Sequence, residues 1–419
     1  MRIGLLGPRR NTSFGGSATF EQELFEGLVA AVREQIHTLV VFSQFPRPVG
    51  LPNYDRIEWV RVGSIVWGNL AANVRRLINS CFNNLFHLPS PFRNEHWIDA
   101  YLHDSGVELF LNLIPETIPT EVPYMMFIWD LMHRTLPFFP ECSQRGAWVR
   151  REARFGRMIQ RAAILGVGTE TGKQEAMRFY QVPESRIHVL PFPTPRFALE
   201  VGLGLTPAQT LIAATIGDEY VFYPANFHAH KNHVTLLHAI AILRDHHGVL
   251  LHAAFSGRDW GNLAHVKELV RRLGLERQIH FMGFVSREEL VGLYRSALAL
   301  VFPSLLGPDN IPPLEAFGLG CPAIVADIPG ASEQMQGAAL LFTPTDEHAL
   351  AEAILMVRRD HEFRDNLIAR GKVRARQFNS RDLGVATLGL IGEFEAIRRC
   401  WPSGKHYPSR YNVAGLFGG

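Results

Sequence analysis

The sequence predicts an α/β protein built as two doubly wound parallel-sheet halves that face a common cleft. Three observations carry that expectation. Short apolar runs rich in Val, Ile, Leu and Phe alternate with stretches of helical periodicity, the rhythm of βαβ units. The rhythm breaks once, over residues 191–215, where Pro, Gly and Thr accumulate, and then restarts. The chain has 419 residues, too many for one ordinary core and enough for two of roughly 200 each.

Taken in order, residues 2–6 form the first strand, 7–17 a loop and 18–32 a helix. Further strands are expected at 38–42, 57–62, 107–113, 124–129, 162–167 and 186–190. Strands alternating with helices imply a parallel sheet covered on both faces. The second half repeats the pattern at 220–224, 250–255, 278–281, 298–302, 323–325 and 339–342. Ser286 followed by Glu289 reads as a capping box opening a helix. The expected division is 1–200, 215–385 and a last helix and tail at 386–419, with helical pattern already from 380.

Composition narrows the function classes. A net charge of +2 makes no case for nucleic acid. Cys81, Cys142, Cys321 and Cys400 lie far apart, without zinc or redox spacing, which favours a reducing, cytoplasmic setting. No apolar run is long enough to span a bilayer. Residues 63–91 are more apolar than a loop requires, with Arg75 and Arg76 off the apolar face. They read either as a helix packed on its own domain or as a contact with the inner face of a membrane.

The chemistry is expected at the strand ends. After the run ending at Phe302, a loop containing Asp309 and Asn310 leads through Ile311 to Pro312 and Pro313, which open a helix bearing Glu315. A helix start suits an anion, and a carboxylate accepts hydrogen bonds from sugar hydroxyls, so the pair suits a nucleotide sugar. A solvated glutamate after a buried strand is the alternative. Lys231 follows the first strand of the second half, where its ammonium can neutralise phosphate. Gly257 and Arg258, and then Gly283, Phe284 and Val285, end the next two strands. Gly15 and Gly16 lie between the first strand and helix, and Asp130 and His133 follow the strand at 124–129. His228, His230 and His233 invite a metal reading, but no carboxylate or cysteine accompanies them at helical spacing and the chain lacks an Asp-x-Asp triplet. No metal is therefore expected.

The segment from Pro303 to Val325, PSLLGPDNIPPLEAFGLGCPAIV, resembles the donor-binding signature of the retaining glycosyltransferases of family 4 (glycosyl transferases group 1). The resemblance is strongest over 223–322 and looser before it. It implies the GT-B fold of two Rossmann-like domains, with the last helix crossing back onto the first domain. It also implies transfer of a sugar from a GDP- or UDP-linked donor, a co-substrate with no resident cofactor, to a hydroxyl of a glycan or lipid-linked acceptor. By the same resemblance Lys231 and Glu315 act on the donor, with Asp130 and His133 toward the sugar or acceptor. Gly15, Gly16, Asn226, Gly257, Arg258, Gly283, Phe284, Val285, Asn310, Ile311 and Pro312 are expected to surround the donor. Three positions depart from the family pattern: Gly307 stands where a first glutamate is usual, Asn226 where an arginine is usual, and Trp129 where a histidine is usual. Asp309 is expected to take over from Gly307 at a sugar hydroxyl. Those departures leave open a non-catalytic nucleotide-sugar or glycan-binding protein on the same scaffold, or a GT-B epimerase.

Overall fold

The computed structural model describes residues 1–8, 15–48, 55–62, 97–115, 118–200, 206, 214–217 and 219–402. The apolar segment at 63–91, Phe14 and Cys81 lie outside the described residues.

The first half carries a seven-stranded sheet: β1 (Arg2–Leu6), β2 (Thr38–Ser43), β3 (Ile57–Arg61), β4 (Leu109–Leu111), β5 (Tyr124–Ile128), β6 (Ile164–Val167) and β7 (Ile187–Val189). The second carries six strands: β8 (Tyr220–Pro224), β9 (His252–Ser256), β10 (Ile279–Gly283), β11 (Ala299–Phe302), β12 (Ala323–Ala326) and β13 (Leu340–Phe342). Every pairing is parallel. The strand orders are 3-2-1-4-5-6-7 and 10-9-8-11-12-13, so each sheet reverses direction beside its own first strand. A crevice opens above such a reversal because neighbouring crossovers depart to opposite faces. In this chain the two reversals face each other.

Burial explains the strand composition. Val221, Phe222, Tyr223, Leu300, Val301, Ala323 and Ile324 have no exposed surface, so these strands need apolar side chains on both faces. Some strands are trimmed relative to the apolar runs. β9 begins at His252 because Leu250 is largely exposed. β4 covers only Leu109–Leu111, since the Val107 N–H already bonds to the Leu102 carbonyl at the preceding helix end.

The halves are joined by a helix, Ser380–Arg398, that leaves the second domain and packs along Gly16–Ala31 of the first. Asn379 and Asp382 cap its start reciprocally. The crossing helix thus begins at Ser380, earlier than a boundary at 386. Contact is close because Gly27 and Gly384 meet at the crossing. A Cβ on Gly27 would run into the Ser380 carbonyl, and one on Gly384 into the Gly27 carbonyl. Backbone on both sides leaves no side chain to swing away. Gly384→Val is accordingly expected to force the helices apart at a cost of about 1–3 kcal/mol. The checking measurement is the urea midpoint, and an unchanged midpoint would contradict the crossing.

Candidate active site

A cleft of about 460 Å³ lies between the two reversals, lined from both domains. The first domain supplies Gly15 and Gly16 after β1 and Trp129 and Asp130 after β5. The second supplies Pro224, Ala225, Asn226, His228, His230 and Lys231 at the end of β8 and after it, Ser256 and Gly257 at the end of β9, Gly283, Phe284 and Val285 at the end of β10, and Leu306 to Pro312 after β11, Pro308 excepted. Glu315 reaches the same space from the Ile311–Leu319 helix.

Lys231 sits in a tight local frame. Asn232 adopts the left-handed region at φ 53°, which asparagine tolerates better than most residues. Its side chain caps the His233–His247 helix and donates to the carbonyls of Pro303 at 3.1 Å and Pro344 at 2.9 Å. The Tyr223 hydroxyl donates to the Lys231 carbonyl at 2.6 Å. The ammonium lies 5.2 Å from the centre of the Phe302 ring and 3.4 Å from Ser304 Oγ. Burial lowers the Lys231 pKa to about 8, against the opposing pull of Asp130 and Glu141.

Glu315 is buried, and its Oε2 accepts a hydrogen bond of 2.7 Å from the Tyr294 hydroxyl. Burial raises its pKa to about 7, while Tyr294 and Arg287 act to lower it and Glu23 to raise it. The helix below it is a weaker anion site than the sequence suggests. Pro312 and Pro313 occupy its first turn, so two of its first four residues have no N–H to offer.

Gly307 has a physical reason. Its φ is +117°, and an added Cβ would strike the Asn310 side chain, whose Nδ2 donates to the Gly307 carbonyl at 2.6 Å. No glutamate fits this loop as it is folded. Asp309 lines the cleft but is committed elsewhere: Oδ2 accepts from the Phe192 N–H at 2.9 Å and Oδ1 from Gln334 Nε2. Its carboxylate ties the interdomain segment, and burial raises its pKa to about 8. Serving as the replacement sugar ligand would require breaking these bonds. Asn226 lines the cleft while its Oδ1 accepts from the Arg258 N–H at 2.9 Å.

Two expected site residues stand apart from the cleft lining. His133 is fully buried, with Nε2 2.9 Å from the Tyr180 hydroxyl and 3.1 Å from Glu152 Oε2, and burial lowers its pKa to about 4. It is a packing residue and not a sugar contact, which corrects the expectation. Arg258 is exposed and lays its guanidinium 5.0 Å from the Phe284 ring centre, on the rim. Asp130 does line the cleft. Its Oδ1 accepts from the Met132 N–H at 2.9 Å and from Arg151 at 2.7 Å. Burial acts to raise its pKa, but Arg151 and the backbone bond outweigh it and the net shift is downward.

Sequence reasoning missed Arg287, which lines the cleft from the start of the Arg287–Ser296 helix with its guanidinium 4.7 Å from the Phe197 ring centre. Its signal was present: it follows the Gly283–Val285 strand end by two residues, and a capping box fixes the direction of that turn. His228 and His230 also line the cleft, whereas His233 is buried against Phe227, Tyr223 and Phe255.

Two Rossmann-like parallel-sheet domains with a shared cleft at their reversals define the GT-B class. Residues 213–374 match the family described as Glycosyl transferases group 1. Over 170 residues it is 29% identical to the O-antigen chain mannosyltransferase B of Escherichia coli, covering 40% of this chain and 44% of that protein. Sucrose-phosphate synthase from Thermosynechococcus elongatus superposes with a TM-score of 0.67 at 17% identity, over 94% of this chain and 99% of that one. Anabaena HepE, solved with UDP and glucose, superposes with a TM-score of 0.64 at 14% identity, over 94% and 100%.

His133→Asn is expected to lower thermal stability by about 1–3 kcal/mol, because Tyr180 and Glu152 lose a buried partner. Affinity for GDP and UDP, measured by calorimetry on the folded variant, should stay that of the parent protein. A selective loss of affinity would return His133 to the site.

Proposed function

We propose that this chain is a retaining glycosyltransferase of polysaccharide or glycoconjugate synthesis, moving a hexose from a nucleoside diphosphate sugar to a hydroxyl of a glycan or lipid-linked acceptor. Mannose is the first sugar to test, given the O-antigen mannosyltransferase among its relatives. The observation that carries the reading is the convergence of Lys231 and Glu315 on one cleft from two different strand ends. One group meets phosphate, the other hydroxyls.

In the proposed step the bond from the anomeric carbon to the diphosphate oxygen breaks, and the acceptor oxygen bonds to that carbon on the same face. The acceptor's proton passes to the departing diphosphate. Negative charge grows on that diphosphate during the step, so the Lys231 ammonium stabilises the transition state more than the ground state. With two prolines in the helix's first turn, the ammonium carries more of that task than the helix start does. Glu315 holds the donor, most naturally at its ribose, and Trp129 and Asp130 face the sugar from the other domain. Residues ordinarily charged in the family are replaced at Gly307 and Asn226, yet Lys231 and Glu315 remain, which favours the transferase over a binding protein.

Lys231→Met should lower kcat by roughly a hundredfold or more at saturating donor, the scale of one lost preorganised charge. Glu315→Gln should chiefly weaken nucleoside diphosphate binding, by ~1–2 kcal/mol. Because Glu315 titrates at about 7 and accepts hydrogen bonds best when ionised, donor affinity should fall as pH drops through that value. Tyr294, Arg287 and Glu23 are the neighbouring groups that set it, and Glu315→Gln should remove this acid limb. A mass-spectrometric screen of nucleotide sugars with and without chelator tests the activity. Turnover should survive chelation, and absence of any donor-dependent diphosphate release would leave the binding-protein reading.

Peripheral membrane contact has its own support. Arg150, Arg154, Arg157 and Arg161 are exposed at spacings of four, three and four on the Ala147–Arg161 helix, and so form one stripe. Val149 and Phe138 are exposed nearby in sequence. An anionic surface attracts such residues by about 1 kcal/mol each. Among the described residues no helix is long and apolar enough to cross a membrane. Arg154→Glu with Arg157→Glu should weaken co-sedimentation with anionic vesicles by roughly thirtyfold or more, with no change for zwitterionic ones. Equal binding by parent and variant would remove this contact.

A further inference from the structure

His228 and His230 were set aside as metal ligands for want of a nearby carboxylate. The fold provides one from the other domain. Glu141, in the Pro140–Ser143 turn of the first domain, reaches across to the second. Its Oε1 accepts from the His230 backbone N–H at 3.0 Å and meets the His230 ring at Nδ1. The His228 ring lies parallel to that of His230, with centres 5.3 Å apart. One ligand atom from each of Glu141, His228 and His230 falls within 4.8 Å of the other two.

A second observation points to a missing partner. His228 Nδ1 is buried and has no hydrogen-bond partner. A buried imidazole nitrogen with nothing to bond loses its hydration without replacement. The ring is held in place by stacking on Trp260, at 5.4 Å between centres, as well as by His230. Sequence distance hid this group, since Glu141 and His230 are 89 residues apart.

We infer that Glu141, His228 and His230 form a divalent transition-metal site that bridges the two domains at the cleft. Two imidazoles and one carboxylate suit zinc, cobalt or nickel, whereas magnesium and calcium favour oxygen ligands. Ligand atoms on one tetrahedral ion stand roughly 3.3 Å apart, so an ion would enter between Glu141 and the His230 ring, which now touch directly, and draw on His228 within the same 4.8 Å. One ligand comes from the first domain and two from the second, so a bound ion ties the domains together across the cleft. The ion is therefore a clamp, separate from the charge that Lys231 supplies, and the inference stands whether or not the proposed transfer occurs.

The test uses the full chain without nucleotide. Titration with Co²⁺ should give the visible absorption of a nitrogen-coordinated ion at one equivalent, displaced by Zn²⁺ and untouched by excess Mg²⁺. Glu141→Gln and His228→Gln, each shown folded by circular dichroism, should each lower Co²⁺ affinity at least tenfold. With 18 histidines in the chain, adventitious binding is the competing outcome. Affinity unchanged in both variants would show it and overturn the site. Affinity lost in His228→Gln but kept in Glu141→Gln would overturn the bridge, as would a parent protein that binds no Co²⁺.

Discussion

Glu23 is the joint on which the two-domain arrangement depends. It sits on the first helix of the first domain, almost without exposed surface. One carboxylate oxygen accepts from the Arg196 N–H in the interdomain segment at 3.1 Å, and the other from the Ser380 hydroxyl at the start of the crossing helix. Burying a carboxylate is unfavourable, and burial does raise its pKa, so the position persists only because both oxygens are used. From that joint follow the placement of the crossing helix against Gly27, the path of the chain past Phe192, and the distance between the two sheet reversals.

The remaining ties across the cleft share its chemistry. Glu333 of the second domain accepts from the Glu170 N–H at 2.6 Å, at the start of a first-domain helix whose orphan donors it satisfies. Asp309 accepts from the Phe192 N–H, and Glu141 from that of His230. In each case a carboxylate on one side meets a backbone N–H on the other or in the connecting segment. Backbone donors cannot be repositioned by rotamer changes, so these bonds fix distance and angle together. They are also polar contacts that water can replace, which permits opening in a way that an apolar interface would resist.

Most of the fold was legible because the strands are buried on both faces. A run such as Tyr220–Pro224 has no amphipathic helical reading, and its burial follows from composition alone. Ends were less legible: Leu250 is apolar yet exposed, and only tertiary context shows it. In the site, Lys231, Gly257, Gly283 and Glu315 line the cleft, in the segments at and beyond strand ends where the sequence put them. Side chains held by a long-range partner were less legible. Asp309 looks like a free loop carboxylate until Phe192 and Gln334 arrive, and His133 looks functional until Tyr180 and Glu152 enclose it. None of these four partners is a sequence neighbour.

Gly307 shows how one replacement can reorganise a loop without dismantling a site. Its positive φ lets Asn310 fold back onto the Gly307 carbonyl, and the Asn310 N–H in turn donates to Gln334 at 3.0 Å. Gln334 also holds Asp309, so loop, helix start and interdomain segment form one hydrogen-bonded unit. The result is a hydrogen-bonded loop at the entrance to the helix that carries Glu315. Lys231, after the adjacent strand β8, and Arg287, at the start of the Arg287–Ser296 helix, are cationic side chains lining the same cleft. The cleft thereby keeps its polar character with different residues supplying it, so the absence of a family glutamate at one position is weak grounds for reading the whole site as inactive.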